Sequence, residues 1–250
     1  MISFKKISEN LKIKARDGMT IYGSFYPSNG KKVVIFVHGL TANYMQGICK
    51  RGQEFFLDKG YDCFLINLYS DEIKDHCRPR ALYDCVTLKR HIADVQDVFA
   101  HFKDKYEDIF FVGHSYGGLT IALSGLPATA MSLWDATFLP NAFRSSALIK
   151  EGGALYLDWN DGQYHKVGQA IVEEGLALTE ETVGAAAKEI ACPVQINLTN
   201  FNFKRNSKYG DYIPYHEIQA YETDHNFTEP DARNTLCENT FVWFENHSKK

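Results

Sequence analysis

A serine between two glycines is the residue of this sequence best suited to nucleophilic chemistry. The stretch FFVGHSYGGL holds the pattern G-x-S-x-G around Ser115, from Gly113 to Gly117, between the apolar DIFFV and the helical-period GGLTIALSG. A sharp strand-to-helix turn holds such a serine in a strained backbone conformation and needs small residues on either side. The helix N-terminus that follows favours developing negative charge. The pattern predicts Ser115 as a nucleophile; the plainer alternative is a cap serine in a glycine-rich turn.

Eight segments have the apolar pattern of β-strands, and helical-period stretches separate most of them. The first two strand segments follow each other at hairpin spacing. This alternation predicts a mostly parallel sheet covered by helices on both faces and entered through an antiparallel pair. Ligands bind such sheets at the carboxyl ends of the strands. The strand segments are FKKISENLKIKA, MTIYGSFYP, VVIFVHG, YDCFLINLY, DIFFVGH, AMSLWDATF, VQINLTN and HEIQAYE; the helical ones are MQGICKRGQEFFLDKG, TLKRHIADVQDVFAHFKDKY, GGLTIALSG and DARNTLCENTFVWFENHSKK.

A long insertion interrupts this alternation after the sixth predicted strand. Residues 139–190 contain the helical pieces GQAIVEEGLAL and EETVGAAAKEI, and the segment is too long for an ordinary connection between strands. We interpret it as a helical lid or cap over the site. The core domain would then consist of residues 1–138 and 191–250.

With these features the sequence resembles the α/β-hydrolase superfamily of serine esterases, lipases and thioesterases over nearly its whole length. VVIFVHGLTAN looks like the superfamily's strand and His-Gly turn. The resemblance implies an eight-stranded, mostly parallel sheet with a lid after strand six. It also implies an oxyanion hole formed by the backbone N–H groups of Leu40 and Tyr116, with His38 as a structural residue of its turn.

A serine hydroxyl is a poor nucleophile at neutral pH, so an imidazole must take its proton and later return it. Of the nine histidines, His225 in YETDHNFTEP follows the last predicted strand and precedes the C-terminal helix. The resemblance implies the catalytic histidine at this position. His114 adjoins Ser115 and would point away from it. The other histidines lack supporting context: His91 and His101 on a predicted helix, and His76, His165, His216 and His247.

The acid that orients the imidazole is the point at which the sequence departs from the superfamily's pattern. The resemblance implies an acid just after the seventh strand, but NLTNFNFKRNSK has only Asn200 and Asn202 there. We favour Asp135, at the end of the sixth predicted strand. Asn202 or Asn200 as a neutral orienting group, and Asp211, are alternatives. Asp224 adjoins His225 and cannot easily reach its Nδ1.

A charged loop follows the fourth predicted strand in place of the superfamily's common Gly-x-Gly turn. The segment NLYSDEIKDHCRPR carries Arg78 and Arg80 together with Asp71, Asp75 and His76. These residues could form a salt-bridged loop over the site or bind a substrate anion. We favour solvated surface charge.

Composition excludes several other classes of function. The net charge of −4 arises from dispersed charges, 27 basic and 31 acidic, so it offers no attraction to nucleic acid. The sequence shows no signal peptide and no run of about 18 apolar residues, which favours a soluble, cytoplasmic protein. Six scattered cysteines lack CxxC spacing, and no metal, dinucleotide or P-loop motif is present, so no cofactor is expected.

These patterns favour a serine hydrolase that cleaves carboxylic esters of small to medium hydrophobic acyl groups through an acyl-enzyme on Ser115. A thioesterase or acyltransferase needs the same residues and differs in the acyl carrier or acceptor. A non-catalytic hydrolase-like binding protein is the alternative of another class. The intact set of Ser115, His225 and the turn at Leu40 counts against it, because a decayed site should have lost some of them.

Overall fold

The computed structural model describes residues 8–43, 45–68, 86–160 and 162–249. Within these ranges the chain forms eleven strands and seven α-helices. The strands are β1 (Glu9–Lys14), β2 (Thr20–Tyr26), β3 (Lys32–Val37), β4 (Asp62–Asn67), β5 (Asp108–His114), β6 (Ala130–Trp134), β7 (Leu148–Glu151), β8 (Ala154–Asp158), β9 (Tyr164–Val167), β10 (Val194–Thr199) and β11 (His216–Tyr221). The helices are α1 (Gly47–Asp58), α2 (Leu88–Phe102), α3 (Tyr116–Ala122), α4 (Gln169–Ala177), α5 (Glu180–Lys188), α6 (Asn200–Asn206) and α7 (Pro230–His247).

The central sheet has eight strands in the order β1-β2-β4-β3-β5-β6-β10-β11. Strand β2 pairs antiparallel with β1 and with β4. Every pairing from β4 to β11 across the rest of the sheet is parallel. The predicted mostly parallel, eight-stranded sheet entered through an antiparallel pair is therefore confirmed, and each of its strands overlaps a segment that the sequence pattern indicated.

Helices cover both faces of this sheet because its buried strands are apolar on both sides. Alternate residues of β3 point in opposite directions: Ile35 packs in the cluster that holds Val95 of α2, and Phe36 packs in the cluster that holds Phe56 of α1 and Phe244 of α7. The sheet is thus a rigid platform, and the loops after its strands present side chains at their carboxyl ends.

The insertion after β6 contains a second, three-stranded antiparallel sheet in the order β7-β8-β9, which the expectation of a helical lid did not include. Strand β7 turns into β8 at Gly152 and Gly153, both with positive φ (56° and 77°), as two-residue hairpin turns require. Leu155 and Leu157 pack in one cluster with Tyr116 and Leu119 of α3. This part of the insertion therefore rests on the helix that follows Ser115.

Helices α4 and α5 lie in the two segments of the insertion where helical pieces were predicted. Val183 and Ala187 of α5 pack in the same cluster as the sheet residues Val33 and Ile35. Helix α5 is therefore part of the packing against the central sheet. The division into a core and a lid at residues 139 and 190 stays a prediction.

Candidate active site

Ser115 is the single residue between β5 and α3, where the chain reverses sharply. Its backbone angles are φ 55° and ψ −119°, a region that costs a non-glycine residue free energy and persists only where the surroundings enforce it. The backbone N–H of Ser115 donates to the Trp134 carbonyl of β6 (3.0 Å), and its carbonyl accepts from the N–H groups of Thr137 and Gly118 (3.0 Å each). These bonds hold the hydroxyl above the carboxyl end of the sheet.

The glycines two residues before and after Ser115 are required by close contact between backbones. A Cβ atom on Gly113 would lie 2.7 Å from the carbonyl oxygen of Gly117, and one on Gly117 would lie 2.2 Å from that of Val37. Real Cβ atoms do not approach so closely. The spacing of the motif therefore follows from the packing of α3 against β3 and β5.

His225 lies on the loop between β11 and α7 and faces Ser115. Its Nε2 atom is 2.9 Å from the Ser115 Oγ atom. The Asp224 side chain shapes this loop by accepting hydrogen bonds from the Asn226 N–H (2.7 Å) and from the Thr228 hydroxyl. Asp224 therefore orients the loop, and its carboxylate is not the group at Nδ1 of His225.

Asp135 follows β6 directly and occupies the other side of the imidazole. Its Oδ2 atom is 2.5 Å from His225 Nδ1, and the carboxylate is fully buried. It also accepts hydrogen bonds from the Thr199 N–H (2.8 Å), the Thr199 hydroxyl (3.1 Å) and the Asn202 amide (2.6 Å). Asp135 has a φ of 43°, so the chain adopts a second strained backbone conformation to present this carboxylate.

Burial alone would raise the pKa of the Asp135 carboxyl, but its hydrogen bonds from His225, Thr199 and Asn202 outweigh burial and hold that pKa below its ordinary value. Asp135 is thus a carboxylate at neutral pH. A carboxylate at Nδ1 favours the tautomer with its proton there, which leaves Nε2 of His225 able to accept the Ser115 proton.

The other candidates for the acid lie elsewhere. Asn202 donates to Asp135 itself, and Asn200 is an exposed residue at the start of α6. Asp211 lies in a short 3-10 helix, Ser207–Tyr212, before β11 begins, at the opposite end of the sheet from Ser115. The sequence analysis did not identify Thr199 as a residue of the site. The feature that could have indicated it is its position at the carboxyl end of β10, the strand that pairs with β6.

The remaining histidines of the described residues lie outside this cluster, apart from His114 behind it. His38 accepts from the Leu68 N–H through Nε2 (3.1 Å) and donates through Nδ1 to the Gly39 carbonyl (2.8 Å), as a structural residue of the turn after β3. The others are His91 and His101 on α2, His165 on β9, His216 on β11 and His247 on α7.

A cavity of about 220 Å³ opens over Ser115 and His225. Leu40 and Tyr116, the two residues expected from the sequence to supply oxyanion-hole N–H groups, line this same cavity. Its other lining residues come from the segment after β6, from the end of β8 and from α6: Thr137, Leu139, Pro140, Asn141, Ala142, Trp159, Phe201, Asn202, Arg205 and Asn206. The lining is mainly apolar, so the cavity suits an apolar ligand group.

The insertion touches the turn after β3 at the rim of the cavity. The Trp159 indole N–H donates to the Thr41 hydroxyl (2.9 Å), and that hydroxyl donates to the Leu40 carbonyl (2.6 Å). The insertion and the Leu40 turn thereby form adjoining walls of the cavity.

The loop with Arg78 and Arg80, together with Asp71, Asp75 and His76, lies outside the described residues, as do Cys77 and Cys85. Within the described ranges, Cys49, Cys63, Cys192 and Cys237 are free and buried. No group of three or more His, Cys, Asp or Glu side chains there is placed to hold a metal ion. None of the helices described is both long enough and apolar enough to cross a bilayer.

Comparisons with known proteins bear on the fold. No protein-family model and no curated protein sequence matches the chain. Among solved structures, Est1E from Butyrivibrio proteoclasticus is similar with a TM-score of 0.74 and 17% identity over 95% of this chain and 98% of that one. The α/β hydrolase GrgF from Penicillium sp. sh18 has a TM-score of 0.74 and 12% identity over 97% and 99% of the two chains. The esterase EaEST from Exiguobacterium antarcticum has a TM-score of 0.67 and 16% identity over 95% and 100%. The resemblance inferred from the sequence is confirmed: the chain has the α/β-hydrolase fold.

Proposed function

We propose that this α/β-hydrolase-fold chain is a serine hydrolase that cleaves carboxylic esters of small to medium hydrophobic acyl groups. The observation that carries the proposal is the unbroken chain of contacts from Ser115 Oγ to His225 Nε2 (2.9 Å) and from His225 Nδ1 to the Asp135 carboxylate (2.5 Å). Three groups in this order serve nucleophilic acyl transfer on many unrelated folds. Similar solved structures that are described as esterases agree with this reaction class.

In the acylation step the Ser115 oxygen attacks the carbonyl carbon of the ester while Nε2 of His225 takes the hydroxyl proton. The imidazole becomes an imidazolium, which the buried Asp135 carboxylate stabilises through the Nδ1 proton. Collapse of the tetrahedral intermediate breaks the bond to the alcohol oxygen, and His225 gives its proton to that leaving group. The acyl group is then bound to Ser115.

The tetrahedral intermediate carries its negative charge on the former carbonyl oxygen. The backbone N–H groups of Leu40 and Tyr116 would donate to this oxyanion, since both residues border the cavity beside Ser115. Loss of one such donor typically costs about 3 kcal/mol of transition-state stabilisation. Deacylation repeats the sequence with water, which His225 deprotonates for attack on the acyl carbon.

The cavity supports the acyl class within this proposal. Leu139, Pro140, Ala142 and Trp159 give it apolar walls, and its volume of about 220 Å³ is small for a ligand pocket. An acyl chain of a few carbons would bury its surface there. Large acyl groups would have to extend past the rim at Trp159 and Phe201.

Hydrolysis of p-nitrophenyl butyrate, compared with p-nitrophenyl palmitate, tests this proposal. We expect turnover of the short ester, loss of turnover in Ser115→Ala, and a lower kcat/KM for the long chain. A butyryl thioester measured in parallel separates an esterase from a thioesterase. Absence of turnover with every acyl ester and thioester would favour the non-catalytic binding protein.

A further inference from the structure

Among the described residues that line the cavity, Arg205 is the only lysine or arginine, and none is an aspartate or glutamate. The side chain extends from α6 near Phe201, with the guanidinium carbon 5.8 Å from the ring centroid. Within the described part of the chain, its guanidinium is in no ion pair or hydrogen bond. A guanidinium has N–H donors in a fork that fits a carboxylate or phosphate. The cavity therefore has one cationic group that contacts an aromatic ring and has no anionic partner among the described residues.

Helix α6 also carries the residue that supports the acid. Asn202, three residues before Arg205, donates to Asp135 (2.6 Å), and residues three apart lie on the same side of a helix. Arg205, an exposed residue, is thus about one helical turn along α6 from the buried Asn202 that donates to Asp135. A short substrate could reach both Ser115 and Arg205.

We propose that Arg205 forms an anion subsite and that the natural substrate is an ester with a second, negatively charged group, such as a half-ester of a short dicarboxylic acid. This inference rests on the proposed esterase function. The anionic group would pair with the guanidinium at one end of the cavity while the scissile carbonyl lies at Ser115. The apolar walls between them would contact the connecting carbon chain.

Two matched pairs of esters test the subsite. Monoethyl glutarate against ethyl pentanoate places the charge on the acyl side, and p-(butyryloxy)benzoate against phenyl butyrate places it on the alcohol side. In Arg205→Gln we expect kcat/KM to fall roughly tenfold or more for the charged member of one pair, with little change for its neutral partner. Lys204→Gln, which removes a charge from the same helix but not from the cavity lining, should leave both ratios unchanged.

Equal charged-to-neutral ratios in the wild type and Arg205→Gln, for both pairs, would overturn the anion subsite. A parallel decline in Lys204→Gln would overturn it too, because the effect would then come from general surface charge. Failure of the wild type to turn over any of these esters would instead overturn the esterase function itself.

A separate observation concerns a partly buried chain of hydrogen bonds behind Ser115 and His225. The Gly39 N–H donates to Gln46 Oε1 (3.0 Å), Gln46 Nε2 donates to His114 Nδ1 (2.9 Å), and His114 Nε2 donates to the His225 carbonyl (2.8 Å). Each donor meets an acceptor when His114 is neutral. Burial, together with the neighbouring His225, lowers the pKa of His114 to about 3, so the neutral form is the one present.

This chain of hydrogen bonds connects two loops whose relative position matters for the proposed reaction. One end is the turn that presents Leu40 toward the oxyanion, and the other is the loop that presents His225 as the base. We infer that Gln46 and His114 are positioning residues that fix the oxyanion turn relative to the base. This inference also rests on the proposed function, and it gives His114 of the G-x-S-x-G motif a role of its own.

A double-mutant cycle with Gln46→Met and His114→Phe tests the chain. We expect each variant to lower kcat about tenfold to a hundredfold with KM nearly unchanged, because misplacement of catalytic groups by about 1 Å costs on this order. The double variant should lose little more than either single one, since either change breaks the same chain. His114→Gln, which restores a donor toward the His225 carbonyl, should recover part of the kcat lost in His114→Phe.

Thr240→Val provides the control for a lost buried hydrogen bond, since the Thr240 hydroxyl bonds with Ser132 and accepts from the Trp134 indole N–H, and neither bond involves Gln46, His114 or His225. It should lower the melting temperature without lowering kcat. Purely additive losses in the cycle would overturn the inference. A folded Gln46→Met protein with a kcat within twofold of wild type would also overturn it. The same holds if folded His114→Gln and folded His114→Phe both keep a kcat within twofold of wild type.

Discussion

The Asp135 carboxylate lies 2.5 Å from Nδ1 of His225, on the strand next to the one that presents Ser115. Strand β6 pairs with β5 on one side and with β10 on the other. An acid at the end of β6 can therefore reach the same imidazole as an acid at the end of β10. The site has the geometry of a complete triad although the segment after β10 holds no carboxylate in contact with His225.

Replacing Asp135 by asparagine tests its assignment as the acid. Asparagine keeps the shape but can donate to Nδ1, which favours the wrong imidazole tautomer, so kcat should fall by about 10⁴-fold. The measurement is kcat on p-nitrophenyl butyrate, with circular dichroism to verify folding. A folded Asp135→Asn protein with near-wild-type turnover would assign the role elsewhere.

Asn202→Ala should have a smaller effect in the same direction. The variant removes a 2.6 Å hydrogen bond to Asp135 Oδ2 while Thr199 still donates to the carboxylate. We expect the Asp135 pKa to rise and kcat to fall about tenfold, in line with losses of groups that orient a reactive side chain. Asn200→Ala on the exposed start of α6 is the matched control and should match wild-type kcat; a larger loss there than in Asn202→Ala would refute the prediction.

Gly117→Ala should destabilise the fold, because its Cβ atom would meet the Val37 carbonyl oxygen at 2.2 Å. Overpacking against backbone costs about 1–3 kcal/mol or more of the free energy of unfolding. Gly47→Ala at the start of α1 is the control, since a Cβ there has nothing within 4 Å, and it should unfold at the same urea concentration as wild type or a higher one. Equal midpoints for the two variants would contradict this packing.

The buried His114 makes stability depend on pH. Burial lowers its pKa from 6.5 to about 3 in the folded state, so the unfolded chain binds a proton that the folded chain does not between those values. The free energy of unfolding should therefore be fully retained above about pH 6.5 and fall as the pH drops, by about 1 kcal/mol per unit near pH 5.5 from this residue.

Urea unfolding of the wild type and His114→Gln between about pH 6.5 and pH 5 measures this contribution. His114→Gln should show the shallower decline. His101→Gln, at a more exposed histidine on α2, should change the slope much less. A slope in His114→Gln that equals the wild-type slope would show that His114 is not held neutral.

The eight strands of the central sheet could be predicted because each is a short apolar run, and the helices because their apolar residues recur at helical period. The β7–β9 sheet could not be found by the same criterion, since β7 carries Lys150 and Glu151 on four residues and has no buried one. The Gly152-Gly153 pair was the one clear feature of the sequence that indicated a hairpin there. The helical pattern of α4 and α5, which the structure contains, led to a helical expectation for the whole insertion and left this sheet out.

Ser115 could be predicted from the local motif and its flanking elements. Asp135 could be named as a candidate, but spacing along the chain does not tell which strands are neighbours, and that order decides whether its carboxylate reaches His225. The contact of Gln46 with His114 joins residues 68 positions apart and depends on the path of α1. No pattern in the sequence indicates such a contact.

Labelling with a fluorophosphonate, followed by mass spectrometry of the intact protein and its peptides, tests the central claim most directly. The reagent forms a covalent bond only with an activated serine, so the folded wild type should gain one label on Ser115. Ser115→Ala should gain none, and His225→Ala should react far more slowly because the hydroxyl has lost its base. Absence of label on the wild type, or equal labelling of Ser115→Ala, would contradict the assignment of Ser115 as the nucleophile.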